Sequence, residues 1–303
     1  MMLASLLVAL TLGQSSAPYV RSRVEAGNPD AHCLFWTVPT LTWRLNSVGN
    51  PKSTDAQKQR EFAAIRASFQ SWQDIYGTCG NLRISEGPVV DERKVGYALE
   101  GENRNLVLFR TRSCTGVAPA DDKCWAEETC GNVYDCWDGD RATIAITLTT
   151  YDKKSGIIYD SDIELNANNF VFTTVDGPVC NQTPTSTSAN CVSTDLQNTM
   201  THEIGHLLGL DHTDATGSTM NPRAPSGEIS KRSIDTGSRS FVCMAYPQGQ
   251  ATQSCVTPSL GSSGRVVELG QARGCSSTGA EAWLPALAGW AMLAWRRRRG
   301  GER

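Results

Sequence analysis

Two periods of apolar residues alternate along the middle of this chain. Leu41-Thr42-Trp43-Arg44-Leu45 places an apolar side chain at every second position, the pattern of a half-buried strand. Turn-forming residues fill 46–51, and Ser53-Thr54-Asp55 offers side-chain oxygens for a helix N-cap. Phe62, Ile65, Phe69, Trp72 and Tyr76 then recur at helical intervals as one apolar stripe, and Gly77 is expected to end that helix. Leu82-Arg83-Ile84 reads as a short strand. Residues 106–109 form a continuous apolar run, which predicts a strand buried on both faces. A hairpin follows, with β-branched residues at 142–150, turn material at 151–156 and a return strand at 157–166. In the return strand Ile163 and Leu165 alternate with Asp162, Glu164 and Asn166, so one face is expected in the core and one in water, as at a sheet border. A second helix is expected after Ser193-Thr194-Asp195, any of which can cap it. Leu196, Met200, Ile204, Leu207 and Leu208 supply its apolar face. This order of elements predicts a single α/β (α+β) domain.

Composition adds a compartment. The chain has 303 residues and 11 Cys, none in paired C-x-x-C motifs, so disulfides formed in an oxidising environment are expected. Cys114, Cys124, Cys130 and Cys136 crowd an acidic stretch that reads as a disulfide-pinned loop. Its carboxylates are the ligand type Ca²⁺ takes, but they lack EF-hand spacing, so a solvated acidic surface is expected and no Ca²⁺ site is assigned. Cys180 and Cys191 bracket a Thr/Ser-rich segment expected to be closed by a local disulfide. Lys and Arg number 28 against 31 Asp and Glu, a balance that argues against nucleic-acid binding.

The ends read as addresses. Residues 1–17 are apolar and then small, like a secretory signal peptide. Cys275 is followed by a polar stretch, an apolar run at 283–295 and Arg296-Arg297-Arg298-Arg299. The run is shorter than the ~20 residues of a full helical span. Membrane contact is expected only through these two ends, and the body is expected to be an exported monomer.

Three of the four His fall in His202-Glu203-Ile204-Gly205-His206-Leu207-Leu208-Gly209-Leu210-Asp211-His212, which is H-E-x-x-H-x-x-G-x-x-H. On a helix His202 and His206 project from one face, where two neutral imidazoles can grip one Zn²⁺. Gly209 accepts backbone angles closed to other residues, which lets the chain turn and bring His212 round as third ligand. Three protein ligands leave a position open, the mark of a catalytic rather than a structural zinc. Glu203, beside the first ligand, is placed to act on water. A lone H-E-x-x-H recurs by chance; here the extended motif fixes five positions.

With Met220 in the turn Ser218-Thr219-Met220-Asn221-Pro222, this stretch resembles the metzincin zinc proteases, and most closely the matrixin branch. The helix through Ser71-Trp72, a substrate-lining edge strand at 160–166 and a closing helix at 234–247 agree with that resemblance. It implies a twisted, mostly parallel sheet with an antiparallel edge strand, a first helix, an active-site helix and a small C-terminal subdomain. It further implies His202, His206 and His212 as ligands of one catalytic Zn²⁺, Glu203 as catalytic acid/base and Met220 as a hydrophobic floor. Asn221 stands where matrixins usually carry Tyr, so no switchable Tyr ligand comes from that position. The order Cys275, apolar run, Arg cluster resembles the myxobacterial C-terminal sorting tail (MYXO-CTERM).

The expected organisation is a signal peptide at 1–17, a short segment at 18–40, the protease domain at 41–248, a linker at 249–274 and a sorting tail at 275–303. The expected activity is hydrolysis of protein or peptide substrates, with extended substrate pairing against 160–166. The rival is a non-catalytic surface adhesin on the same scaffold. A matrixin-type latency Cys would have to be Cys33, for which a structural disulfide is the stronger expectation, and its neighbour His32 is expected to pack or face solvent.

Overall fold

The computed structural model describes residues 19–181, 190–255 and 269–277. The expected signal segment and the apolar and arginine parts of the expected tail lie outside them.

The chain enters as a short strand, β1 (Val20–Arg21), and reaches the sheet with β2 (Thr40–Leu45). The helix α1 (Asp55–Cys79) starts where expected. Thr54 caps it, and Gln57 returns the bond in a capping box. It runs past Gly77 to Gly80, whose N–H reaches the Tyr76 carbonyl at 2.9 Å. One glycine costs a helix only about 1 kcal/mol, and the last turn is held by buried Ile75 and Tyr76 and by the Cys79–Cys243 disulfide. After β3 (Arg83–Glu86) and β4 (Leu106–Arg110) comes a loop with a short helix, α2 (Cys130–Tyr134). Disulfides Cys114–Cys136 and Cys124–Cys130 pin this loop, and their four cysteines are its buried centre.

The hairpin is β5 (Thr143–Asp152) and β6 (Ile158–Asn166). Two-residue strands β7 (Phe172–Thr173) and β8 (Thr194–Asp195) pair in parallel just before α3 (Leu196–Leu207). Then follow β9 (Leu210–Asp211), α4 (Thr236–Ala245) and β10 (Leu269–Ser277). The main sheet has the order β10-β5-β6-β4-β2-β3. The β2–β3, β2–β4 and β4–β6 pairs are parallel, whereas β5–β6 and β10–β5 are antiparallel. This is the mixed, mostly parallel sheet expected of a matrixin-type catalytic domain. Its core joins Trp43, Phe69, Trp72, Phe109, Ile163, Leu196, Met200 and Ile204.

Strand β6 departs from expectation in two ways. The return strand β6 is an inner strand, with β4 on one side and β5 on the other, so the edge of the hairpin next to α3 is β5, not 160–166. The polar residues of β6 are also buried rather than solvated. Asp162 accepts from the backbone N–H groups of Gly96 at 2.5 Å and Leu106 at 2.6 Å, and Glu164 pairs with buried Arg110 at 2.5 Å. Gly96 in the β3–β4 loop and Leu106 and Arg110 of β4 supply these partners, which removes the need for water on that face.

Candidate active site

The site is built on α3. Asp195 caps it by accepting from the Asn198 N–H at 2.8 Å. Leu196, Met200, Ile204, Leu207 and Leu208 are fully buried, which fixes the helix against α1 and the sheet. From α1, the Trp72 indole N–H donates to the Thr201 carbonyl at 2.9 Å, and the Ser68 hydroxyl donates to the Gln197 carbonyl at 3.1 Å. The last carbonyls of a helix have no partner within it. Here Leu207 O accepts from the Trp36 indole at 2.8 Å, and Leu208 O accepts from the Tyr246 hydroxyl at 2.7 Å.

Gly209 then turns the chain with φ +103°, and a Cβ there would lie 2.6 Å from the Leu34 carbonyl oxygen. Both facts demand glycine. The strand β9 that follows pairs with β1, and the Ser22 N–H donates to Gly209 O at 2.9 Å. The N-terminal segment thus clamps the turn that carries His212. Cys33, bonded to Cys255, ties this segment down and is not a latency thiol.

The three histidine rings converge. Nε2 of His206 lies 3.1 Å from Nε2 of both His202 and His212, and the third side of the triangle is 3.2 Å. Nitrogens sharing one tetrahedral zinc at about 2.0–2.1 Å stand roughly 3.3 Å apart, close to these separations. The tautomers agree with that use. His202 Nδ1 is 2.7 Å from Thr219 O, and His206 Nδ1 is 2.8 Å from Leu210 O. A carbonyl only accepts, so each Nδ1 carries the hydrogen and each of these Nε2 atoms presents a bare lone pair. Two such lone pairs 3.1 Å apart repel unless a cation lies between them.

Burial reinforces the neutral state. It pulls His202 well below the usual imidazole range and His206 down to about 3, with the neighbouring rings adding to the effect. His212 is lowered by burial too, against the opposing pull of Asp211. Among the described residues, this triad is the group of side chains that could hold a metal ion.

Glu203 is fully buried beside the triad, and its Oε2 accepts from Thr147 Oγ1 on β5 at 2.7 Å. Thr147 also reaches the Glu203 carbonyl at 3.1 Å, so one hydroxyl links β5 to both the backbone and the side chain of this residue. Met220 is buried, and a Cβ on Gly205 would lie 2.2 Å from its Sδ. The turn bearing it is held by Asp235, which accepts from Thr219 N–H at 2.9 Å while capping α4.

The structure thus brings together His202, Glu203, His206, Gly209, His212 and Met220. It also brings in Cys275, expected at the head of a tail. Cys275 lies in β10, and residues 269–274 of the expected linker form the rest of that strand up to it. Burial pushes the Cys275 thiol up to about 11, and the nearby Glu203 carboxylate adds to the shift. Sequence reasoning missed Thr147, Trp36, Tyr246 and the β1 clamp. The β-branched character of β5 was visible, but nothing local marked Thr147 as the residue facing Glu203.

The matrixin family model matches residues 92–239, which includes β4, the hairpin, α3, all three histidines of the triad and the Met220 turn. A search of the curated proteins found no match. The matched segment, just under half of the chain, and the three-histidine geometry support a matrixin-like metzincin.

Proposed function

We propose that the chain is an exported zinc-dependent endopeptidase, with His202, His206 and His212 holding one zinc ion and Glu203 as general base and acid. The observation that carries this reading is the convergence of three ring nitrogens at 3.1–3.2 Å, two of them fixed as bare acceptors, beside a buried carboxylate. When bound, zinc supplies a Lewis acid that activates water and offsets negative charge on a substrate carbonyl.

The remaining work falls to the chain itself. Glu203 takes the proton from the attacking water and delivers it to the leaving amine. The Thr147 hydroxyl holds one carboxylate oxygen in place, leaving proton transfer to the other. The Met220 turn sets the His202 ring through the Thr219 carbonyl. An extended substrate pairs with the outer edge of β5, which replaces 160–166 as the strand that receives it. The ten paired cysteines accord with an extracellular protein. Export through residues 1–17 and surface retention through 275–303 complete the proposal.

The test is product mapping by mass spectrometry. The full chain, loaded with zinc, is incubated with a peptide library beside Glu203→Gln at equal zinc content. Cleavage by the first and its loss in the second supports a general base. Equal cleavage by both removes Glu203 from the mechanism.

A further inference from the structure

The edge of β5 that a substrate would pair with is already taken. Strand β10 lies antiparallel along it, from Leu269 opposite Asp152 to Ser277 opposite Thr143. Its path crosses the histidine cluster. A Cβ on Gly274 would lie 2.3 Å from His206 Cγ and 2.7 Å from its Nδ1, so the backbone itself rests on the ring. The next residue, Cys275, brings its backbone up to the His212 ring. Gly274 pairs with Thr147, the residue that holds Glu203.

We infer that β10 is a tethered competitor for the substrate cleft, which lowers the activity of the intact chain for as long as the strand is seated. This rests on the peptidase reading above. A second strand cannot pair with the same edge of β5, nor can another backbone approach His206 while Gly274 lies on it.

The strand is shaped for this seat. Successive residues of a strand point to opposite faces, so positions 270, 272 and 274 share one face. They are Gly, Ala and Gly. A Cβ on Gly270 would stand 2.8 Å from the Tyr151 ring, and Ala272 packs against the main core. Larger residues at these points would push the strand off. The contact is made by backbone, since the Cys275 thiol is not part of the metal-type cluster.

The tether makes a weak strand effective. Residues 256–268 link β10 to Cys255, which is bonded to Cys33 in the N-terminal clamp. A segment held by a short linker acts at an effective concentration on the order of millimolar, enough to compete with dilute substrates.

The experiment uses the zinc-loaded full chain, Gly274→Val and Gly270→Val, read first by binding of a fluorescent peptide hydroxamate. Each substitution places a side chain where the seated strand has no room, so both variants are expected to bind the probe at least tenfold more tightly than wild type. Hydrogen exchange on the same samples is expected to show residues 269–277 protected in wild type and exposed in the variants or once probe saturates the site. Equal probe affinity in all three proteins overturns the inference, as does probe binding that leaves 269–277 protected. Wild type trimmed near 274–276 while Glu203→Gln stays whole would make β10 a substrate rather than a competitor, and also overturns it. If β10 is protected and displaced by probe, yet no variant cleaves any peptide, the peptidase reading fails while the seat of the strand stands.

Discussion

Gly205→Ala tests how the helix and the Met220 turn are fitted under the histidines. Alanine is the better helix former, and on an exposed helix the change would stabilise by about 1 kcal/mol. At this position the new Cβ would stand 2.2 Å from Met220 Sδ and 3.0 Å from its Cε. Ordinary contact needs about 3.5–4.0 Å, so the Met220 side chain must retreat by roughly 1.5 Å. Met220 is buried, with the Trp72 ring also bordering Gly205, and such overpacking costs about 1–3 kcal/mol.

The two terms oppose one another, so the single variant is less informative than a double-mutant cycle. Met220→Ala alone leaves a cavity and is expected to cost about 2–4 kcal/mol. In the double variant the added methyl enters space that Met220 has vacated. The pair should therefore be more stable than the sum of the singles by about 1–3 kcal/mol. Urea unfolding with disulfides intact, in the presence of a chelator, gives these values. Because Thr219 O orients His202, zinc competition titration should show weaker binding in Gly205→Ala and partial recovery in the pair. Additivity within about 0.5 kcal/mol, or a Gly205→Ala chain simply stabilised by its helix propensity, would refute the close packing.

Other predictions follow from the same contacts. Thr147→Val removes a hydrogen bond to a carboxylate worth about 1.5–3 kcal/mol, so kcat should fall roughly 10- to 100-fold with zinc content unchanged. Loss of zinc in that variant would show that Thr147 supports the fold rather than Glu203. Asp235 is penalised by burial, yet hydrogen bonds from Ser238 and Thr219 hold its carboxyl below the usual range. A lowered folded-state value means stability present above the unfolded pKa of about 3.9 and lost as pH falls through the folded value. Asp235→Asn should therefore lower Tm at neutral pH, with the gap to wild type closing in acid. A gap that is constant with pH would assign the effect to packing. Cys33→Ser/Cys255→Ser should destabilise by about 2–5 kcal/mol and weaken zinc binding through the β1–β9 clamp, as read by calorimetry and metal titration.

The parts of this molecule legible in the sequence are local ones. His202 and His206 lie one helical turn apart, and Gly209 and His212 follow within the same stretch, so spacing alone brought the ligands together. The amphipathic stripe of α1 was legible for the same reason, although Gly77 failed to stop it because buried neighbours and a disulfide hold the last turn. The identity of the edge strand was not legible. The return strand alternates like a border strand, and only β4, arriving from distant sequence, encloses it. Asp162 and Glu164 misled for a related reason, since their polarity reads as exposure until Arg110 and the Gly96 and Leu106 amides are in place. The seat of β10 depends on a pairing across more than a hundred residues, and its Gly-Ala-Gly face resembles a linker when read alone. The odd cysteine was countable, but its place beside the histidines was not.

The proposed peptidase chemistry depends on Glu203 beside three histidines placed to hold a metal ion. Its most direct test compares the full chain and Gly274→Val, each with and without Glu203→Gln, at one zinc per chain on the same peptide library. Both parents are expected to cleave, Gly274→Val faster, and neither Glu203→Gln partner above background despite full zinc occupancy. Undiminished cleavage in the Glu203→Gln chains, or none in any of the four with zinc bound, would contradict it.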